Sequence, residues 1–319
     1  MKLRYALKRI FWLIPTFFGV TILAYFISAL APGTPLDFLI DPNSTITASE
    51  YEALRHQYGM DQPVVIQYFS WLSQLLQGNW GISFRTSEPV LGMILSRLGP
   101  TLLITVTSVV IAVIISIPLG ILAAIKPYSW IDYMATGLSF LTAAIPHFFT
   151  GLVFIYIFAV QFRLLPTGGM YTSAGDKGVL TLIQHMILPT LVLVFQEIGG
   201  LIQQMRGSML EVMEEDYIRT ARAKGLLEYQ VIIHHAIGNA LIPLVTTIGM
   251  MIPFIIGGAV VTEQIFGWPG LGTLMIQSIN ARDYPCIMGI TVFVTFVVLI
   301  GNLVTDIIYG FLDPRISYK

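Results

Sequence analysis

The chain has 319 residues, of which 55% are hydrophobic and 11% are charged, and its mean hydropathy is +0.77. Because soluble domains carry roughly 25% charged residues, this composition excludes a soluble protein and predicts a polytopic membrane protein with the lipid bilayer as a partner. With a net charge of -1, the chain lacks the clustered basic surface that phosphate neutralisation requires, so we expect no nucleic-acid partner.

The N-terminal segment combines basic residues with a long apolar run. Lys2, Arg4, Lys8 and Arg9 precede a stretch without charge from Ile10 to Leu36. The stretch exceeds the ~20 residues that a helix needs to cross the hydrocarbon core, and it is too long for a signal peptide. We predict a cytoplasmic N-terminus over residues 1–9 and a first transmembrane span over residues 10–31.

Residues 32–99 follow as a loop that we expect on the external side. Ser49–Tyr58 has a helical composition before Gly59, and Gln62–Gln77 places apolar residues at helical spacing. The second of these helices is amphipathic, which is typical of a helix at the membrane interface. Two interpretations of the loop stay open: it packs on its own helical bundle, or it forms a docking surface for an external protein.

Five further stretches are apolar for long enough to span a membrane: Leu98–Ile125, Tyr133–Phe162, Gly178–Gln196, Tyr229–Thr262 and Tyr284–Thr305. The stretch from Gly178 must continue past Glu197, to about Gln204, to make a full crossing. Together with the first span they predict an all-α membrane protein with six transmembrane helices. Residues 100–309 form its five-helix core, with a cytoplasmic loop at about 205–238 and a cytoplasmic C-terminus at 310–319. Pro118, Pro146 and Pro253 are expected to kink their spans.

Basic residues give the orientation, because cytoplasmic segments are enriched in them. With a cytoplasmic N-terminus, the cytoplasmic side holds Lys2, Arg4, Lys8, Arg9, Lys126, Arg206, Arg219, Arg222, Lys224, Arg315 and Lys319. The external side holds Arg55, Arg85, Arg97, Arg163, Lys177 and Arg282. The larger cytoplasmic group favours this orientation.

A charged, helix-favouring segment lies between two apolar stretches at residues 214–225. Asp216 suits the positive N-terminal end of a helix and Gly225 suits its end, so we predict a short helix outside the bilayer. Its candidate contact residues for a soluble partner are Asp216, Arg219, Thr220, Ala221, Arg222, Lys224 and Gly225. Ala221 and Gly225 have little side-chain bulk, which would let a partner groove approach the backbone. The alternative is a solvated loop that only connects two spans.

Motifs along nearly the whole chain resemble those of one family. Tyr217–Gly225 is similar to the coupling helix of the dipeptide, oligopeptide and nickel permease family of ABC importers. Gly78–Ser83, which contains Gly81 and Ser83, resembles the external-loop signature of its first permease subunit. Ile265–Gly272, which contains Pro269, Gly270 and Gly272, resembles the external loop between the last two spans. Asp313-Pro314-Arg315 is similar to the usual C-terminus.

The resemblance implies a type I ABC importer permease fold and a bacterial or archaeal plasma membrane location. It implies half of a translocation pathway for peptides, with four kinds of partner or contact: a homologous second permease, two ATPase subunits, an external solute-binding protein and lipid. The sequence has no G-x-x-x-x-G-K-[ST], H-E-x-x-H or G-x-S-x-G pattern, and its single Cys286 matches no zinc spacing. We therefore expect no catalytic residue, metal site or cofactor in this chain, with ATP and magnesium bound by the ATPase partners.

Polar residues on one face of the fourth span are candidates for the translocation pathway. Gln196, Gly200 and Gln203 follow helical spacing, and Glu197 lies beside them. A carboxylate deep in a membrane helix costs roughly 2.5–3.5 kcal/mol to insert, so Glu197 should face a cavity or a partner rather than lipid. An inter-helix hydrogen bond is the open alternative for Glu197.

A self-contained secondary transporter of a small polar solute is the alternative function. Such a protein would be expected to show more intramembrane charges and a repeat that relates its halves. We find no such repeat, and a secondary transporter needs no helix shaped to dock on an ATPase.

Overall fold

The chain folds into helices in the part that the computed structural model describes, residues 2–30, 47–57, 59–172, 176–257 and 259–312. We number the helices in chain order: α1 (Lys2–Leu30), α2 (Ala48–Gln57), α3 (Val64–Leu76), α4 (Val90–Ile125), α5 (Trp130–Ala144), α6 (His147–Gln161), α7 (Val179–Met213), α8 (Asp216–Ala223), α9 (Glu228–Met250), α10 (Ile252–Gly257), α11 (Val260–Ile265), α12 (Leu271–Asn280) and α13 (Tyr284–Leu312). The second half of α6, Ile155–Gln161, and the segment Val231–Ala236 of α9 are π-helical.

Five helices are long and apolar enough to cross a membrane: α1, α4, α7, α9 and α13. The bent pair α5 and α6 brings the number to six if it makes one crossing. Helix α7 continues through Glu197 without a break, as predicted, and ends only at Met213. At 1.5 Å per residue α4 and α7 are each more than about 50 Å long, so both extend beyond the hydrocarbon core.

Two predicted spans are broken. The stretch Tyr133–Phe162 divides at Ile145 and Pro146, where α5 and α6 meet at an angle of 103°. The stretch Tyr229–Thr262 is not one helix, because α9 ends at Met250 and α10 starts afterwards with Pro253 in its first turn. Proline lacks an N–H group and its ring clashes with the preceding turn, so a helix start accommodates proline at lower cost than a helix interior. Pro118, in contrast, lies inside the continuous helix α4.

Helix α4 begins at Val90, earlier than the predicted start at Leu98. The predicted domain boundary between residues 99 and 100 therefore falls inside a helix. The last residue of the predicted first span, the first part of the predicted external loop (residues 32–46) and the motif Asp313-Pro314-Arg315 lie outside the described residues.

The core of the bundle is the packing of α4 against α7, with α5 and α9 alongside. Its largest cluster contains buried residues of α4, α5, α7, α8 and α9, among them Ala112, Ala135, Ile202, Met205 and Ala240. Small residues let the helices approach closely, as is usual in membrane bundles. Because Ala123 and Ala124 at the C-terminal end of α4 share this cluster with α8, we call that end of the bundle the α8 end.

The opposite end contains the start of α4, the start of α13 and helix α12. Val90 and Ile94 pack there against Leu271, Leu274 and Cys286. Helix α3 also lies at this end, because its Tyr68 hydroxyl contacts Thr21 of α1 at 3.0 Å and its buried face packs on Val292 of α13. The interpretation that this part of the loop packs on its own bundle is thereby confirmed for α3, and the docking of an external protein stays a prediction.

Two adjacent glycines of α7 provide a test of the packing between α5 and α7. A side chain at Gly199 would overlap with Oγ1 of Thr142 and approach the backbone of Ser139, whereas a side chain at Gly200 would meet open space. We predict that Gly199→Ala destabilises the protein by about 1–3 kcal/mol through overpacking. Gly200→Ala should be neutral or stabilise by up to about 1 kcal/mol, because alanine is the better helix former.

The measurement is thermal unfolding of the purified variants in detergent, with Gly200→Ala as the matched control. Equal unfolding temperatures for the two variants would contradict the close contact between α5 and α7.

Candidate functional site

Helix α8 has the local features of a short, well-terminated surface helix. Asp216 lies in its first turn, and the Thr220 hydroxyl donates a hydrogen bond to the Asp216 carbonyl at 2.9 Å. Gly225 follows the helix with a φ of +81° and donates its N–H to the carbonyl of Arg222 at 3.0 Å. Since other residues avoid this left-handed conformation, glycine is the residue that ends the helix cleanly. The predicted helix and its end are confirmed.

The inner face of α8 packs on the bundle. Ile218 is completely buried and Ala221 is 5% exposed, and both belong to the cluster that contains Met205 and Met209 of α7 and Val231 of α9. The expectation that Ala221 leaves room for a partner groove is therefore wrong. The small side chain of Ala221 instead lets α8 pack closely against α7 and α9 of its own bundle.

Arg222 is engaged within the chain. Its Nε donates to Glu228 Oε2 at 3.1 Å and its Nη2 donates to Oε1 at 2.7 Å, which closes the turn between α8 and α9. This hydrogen bonding raises the pKa of Arg222 above its ordinary value, so the guanidinium stays charged. In the isolated chain the guanidinium of Arg222 is thus paired with Glu228, both side chains remain partly exposed, and the contact of Arg222 with a partner stays a prediction.

The outer face of α8 carries the remaining candidate residues. Thr220, Lys224 and Gly225 are exposed, and the side chains of Asp216 and Arg219 are 95% and 70% exposed and lie 3.5 Å apart. Exposed apolar side chains continue this surface beyond the helix: Leu226, Leu227, Tyr229 and Ile233. Sequence reasoning missed these four, although an apolar pair directly after the glycine in a charged segment is a signal that could have indicated a contact surface.

The polar residues of α7 lie near the middle of that helix, on a face that is open in the isolated chain. Gly200 and Gln203 are exposed, and Gln196 and Glu197 are half-buried. Within the described part of the chain, no side chain or backbone N–H donates a hydrogen bond to Glu197. This arrangement brings the predicted pathway residues together on one surface, but it does not place a substrate there.

The motif around Pro269 forms a buried structure at the opposite end of the bundle. The carboxylate of Glu263, which is completely buried, accepts hydrogen bonds from the Thr101 hydroxyl at 2.6 Å and from the Thr273 N–H at 3.0 Å. A side chain at Gly270 would overlap with this carboxylate, and one at Gly272 would overlap with Val260. The two glycines are thus explained by close packing around an acid that sequence reasoning missed.

Trp268, in the loop before α12, is buried at the same end of the bundle and is hydrogen-bonded to α4. Its indole Nε1–H donates to the carbonyl of Pro100 at 2.9 Å, and its side chain is completely buried. The hydroxyl of Thr101 accepts from the N–H of Leu271 at 2.8 Å. These contacts join the loop before α12 to α4, so the motif stabilises the packing at this end of the bundle.

The external motif Gly78–Ser83 meets the residue directly before α13, Asp283, which is another buried acid. Asp283, at the start of α13, accepts hydrogen bonds from the Ser83 hydroxyl and from the Phe84 N–H, the latter at 3.1 Å. Gly81 has a φ of +82° and lies against Pro285. Two stretches that lie 200 residues apart in the sequence therefore form one contact.

A third buried acid lies at the α8 end. Asp132 of α5 is 4% exposed and forms a bidentate pair with Arg206 of α7, with Nε–Oδ1 and Nη2–Oδ2 distances of 2.6 and 3.0 Å. Its Oδ2 also accepts the N–H of Tyr128 at 2.9 Å. The signal in the sequence was a carboxylate directly before the apolar stretch Tyr133–Phe162, since charges at the edge of or within membrane helices are usually paired.

Two models of known protein families match this sequence. The family described as "Binding-protein-dependent transport system inner membrane component" matches residues 116–318, and its N-terminal component matches residues 2–105. The chain therefore belongs to the binding-protein-dependent transport system inner membrane components, and it is a multi-pass membrane permease.

The chain is also similar to individual permease proteins over nearly its full length. The chain is 44% identical to the oligopeptide transport system permease protein AppB of Bacillus subtilis, covering 98% of this chain and 99% of the relative. It is 42% identical to a putative peptide permease protein of Brucella suis, covering 99% of each. It is 37% identical to the glutathione transport system permease protein GsiC of Escherichia coli K12, covering 99% of this chain and all of the relative.

A solved structure supports the fold. A chain of the inward-facing MetNI methionine ABC transporter matches with a TM-score of 0.54 and 16% identity, covering 72% of this chain and all of that one. The predicted all-α, type I ABC importer permease fold is confirmed.

Proposed function

We propose that this chain forms half of the translocation pathway of an ATP-binding cassette importer for di- or oligopeptides. The observation that carries the peptide assignment is full-length identity of 37–44% to permeases named for oligopeptides, peptides and glutathione. The proposed partners are a homologous second permease, two ATPase subunits and an external solute-binding protein. The chain itself is not an enzyme, and ATP and magnesium bind to the ATPase subunits.

The outer face of α8 is the proposed contact for an ATPase subunit. Its exposed charges, Asp216, Arg219 and Lys224, can pair with a complementary rim, and Leu226 and Leu227 supply apolar area beside them. Charged rims around apolar contacts are typical of protein interfaces. Since Ile218 and Ala221 anchor the other face, displacement of α8 by a partner would move α7 and α9 with it.

The proposed orientation in the plasma membrane puts α8 and both termini in the cytoplasm. Lys126, Arg206, Arg219 and Lys224 belong to the α8 end, and enrichment of basic residues is typical of cytoplasmic segments. External solute-binding protein would then meet the opposite end, where α3, α12 and the start of α13 lie.

The open face of α7 is the proposed pathway surface. Gln196, Gly200 and Gln203 can hydrogen-bond or give room to peptide groups, and the Glu197 carboxylate suits a terminal amine. Glu197 lies near the middle of α7, where an unpaired carboxylate facing lipid would be costly. A second permease would close this face, so that the polar groups line an internal path.

Gly225 tests the α8 contact. We predict that Gly225→Val lowers association of the ATPase subunits about tenfold. A non-glycine residue in the left-handed region costs roughly 1–2 kcal/mol, so the free variant should relax out of the conformation that ends α8, and binding has to restore it; 1.4 kcal/mol corresponds to a factor of ten. Insertion and pairing with the second permease should stay unchanged, since a Cβ at Gly225 meets open space. The measurement is co-purification of ATPase subunits with the permease pair, together with peptide uptake.

The matched control is Gly59→Val. Gly59 also has a positive φ, +65°, and an open Cβ position, but it lies in the loop between α2 and α3. Normal ATPase recruitment and uptake in the Gly225 variant would leave α8 as a connecting segment only.

Cysteine labelling tests the α7 surface. In a Cys286→Ala background, Gln196→Cys and Gln203→Cys should react with small hydrophilic thiol reagents in the assembled complex, and nucleotide should change their reactivity. Leu191→Cys, at an exposed apolar position of the same helix, should stay unreactive in the bilayer. If both polar positions are protected to the same extent in every nucleotide state, the surface is an inter-helix contact and not a pathway.

A further inference from the structure

The pair formed by Asp132 and Arg206 lies where α5 and α7 meet, next to α8. Both oxygens of the carboxylate are engaged by the guanidinium, at 2.6 and 3.0 Å, and the aspartate is almost completely buried. Arg206 lies in the C-terminal part of α7, which ends at Met213 and is followed by α8. The pair is thus the polar link between the helix that carries α8 and its neighbour.

Asp132 also fixes the turn before α5. Its Oδ2 accepts the N–H of Tyr128, whose φ of +62° is unusual for a residue with a side chain, and its own N–H is capped by the hydroxyl of Ser129. Asp132 therefore holds the turn at Tyr128 and the first turn of α5 in one conformation, and the same carboxylate binds Arg206 of α7.

A second contact between α5 and α7 lies farther along both helices. Gly199 of α7 packs against Ser139 and Thr142 of α5, with no room for a Cβ. The ion pair and this close backbone contact lie at two separate places along the α5–α7 interface, which also contains the apolar packing of Ala135. The ion pair is the directional contact of the interface, so it orients the beginning of α5 relative to α7.

Helix α5 leads toward the opposite end of the bundle. After the 103° bend, α6 packs on α11, where Gly151 lies against Ile265 and Phe266. Helix α11 carries Glu263, whose carboxylate holds the start of α12. A continuous series of contacts therefore runs from α8 through α7 and α5 to the end that carries the external motifs.

Stability alone is a poor explanation for this ion pair, in which the aspartate is buried and the arginine side chain is 28% exposed. Desolvation of the two charges offsets most of their attraction, and apolar replacements are often as stable, whereas such pairs can specify geometry. Ala135 and Met205, in the neighbouring turns of α5 and α7, belong to an apolar cluster. An apolar pair in place of Asp132 and Arg206 would extend that cluster, but the chain has a charged, directional contact there.

We propose that Asp132 and Arg206 are positioning residues for ATP coupling, which make α5 move with α7 when an ATPase subunit displaces α8. The proposal rests on the function proposed above. Loss of the pair should leave the folded complex and its basal ATP hydrolysis in place, while the response to peptide-loaded binding protein falls. Coupling energies between sites typically correspond to about 5- to 150-fold, and we expect a loss of stimulation in this range.

The experiment uses the complete importer with its binding protein, reconstituted in liposomes. The variants are Asp132→Asn, Arg206→Gln and the double variant, and the control is Arg55→Gln, which removes an exposed pair with Glu52 at the opposite end. The double variant leaves no unpaired buried charge, so it tests the proposal even where a single variant fails to fold. The readouts are subunit assembly, basal ATP hydrolysis and the ratio of stimulated to basal hydrolysis.

We expect normal assembly and basal rate in the double variant with a stimulation ratio lowered about fivefold or more, and an unchanged ratio in the control. An unchanged ratio in the double variant, or a parallel fall of assembly and both rates, would overturn the proposal and leave the pair a structural contact. If the wild-type complex shows no stimulation by loaded binding protein, the proposed function fails instead, which is a distinguishable result.

Discussion

The burial of Ile218 and Ala221 is the contact on which the rest of this account depends. These two side chains fix α8, a short helix outside the apolar spans, onto the cluster shared by α4, α7 and α9. A helix of this length has little stability alone in water, so tertiary packing must hold it. The same packing gives α8 two distinct faces: the inner face is buried against the bundle, and the outer face is exposed.

Three buried carboxylates organise the ends of the bundle. Asp132 joins α5 to α7 at the α8 end, while Glu263 and Asp283 hold the loops before α12 and α13 at the opposite end. Each accepts hydrogen bonds in a setting where an unpaired charge would be costly. Glu197 differs, because no described residue donates to it and it lies near the middle of α7. The two ends of the bundle are thus held by hydrogen-bonded acids, while the middle of α7 carries polar residues on one open face.

The sequence predicted the class, most spans and the termination of α8, because composition, apolar length and the glycine rule act locally. It did not predict that Ala221 points inward, since a helix of eight residues with charges on several sides gives no clear periodicity. The partners of Asp132, Glu263 and Asp283 were also not predictable, because each lies far away in the sequence and depends on how helices cross. The break at Pro146 was expected only as a kink, and its angle of 103° follows from packing that no local pattern encodes.

The central claim is that transport energy enters this chain from outside, through α8. The most direct measurement compares peptide uptake into liposomes that contain this chain alone with uptake into liposomes that contain the permease pair, the ATPase subunits and the binding protein. The account predicts no uptake and no ATP hydrolysis by the chain alone, and ATP-dependent uptake by the complete assembly. Robust uptake by the chain alone would contradict it and would favour a self-contained secondary transporter.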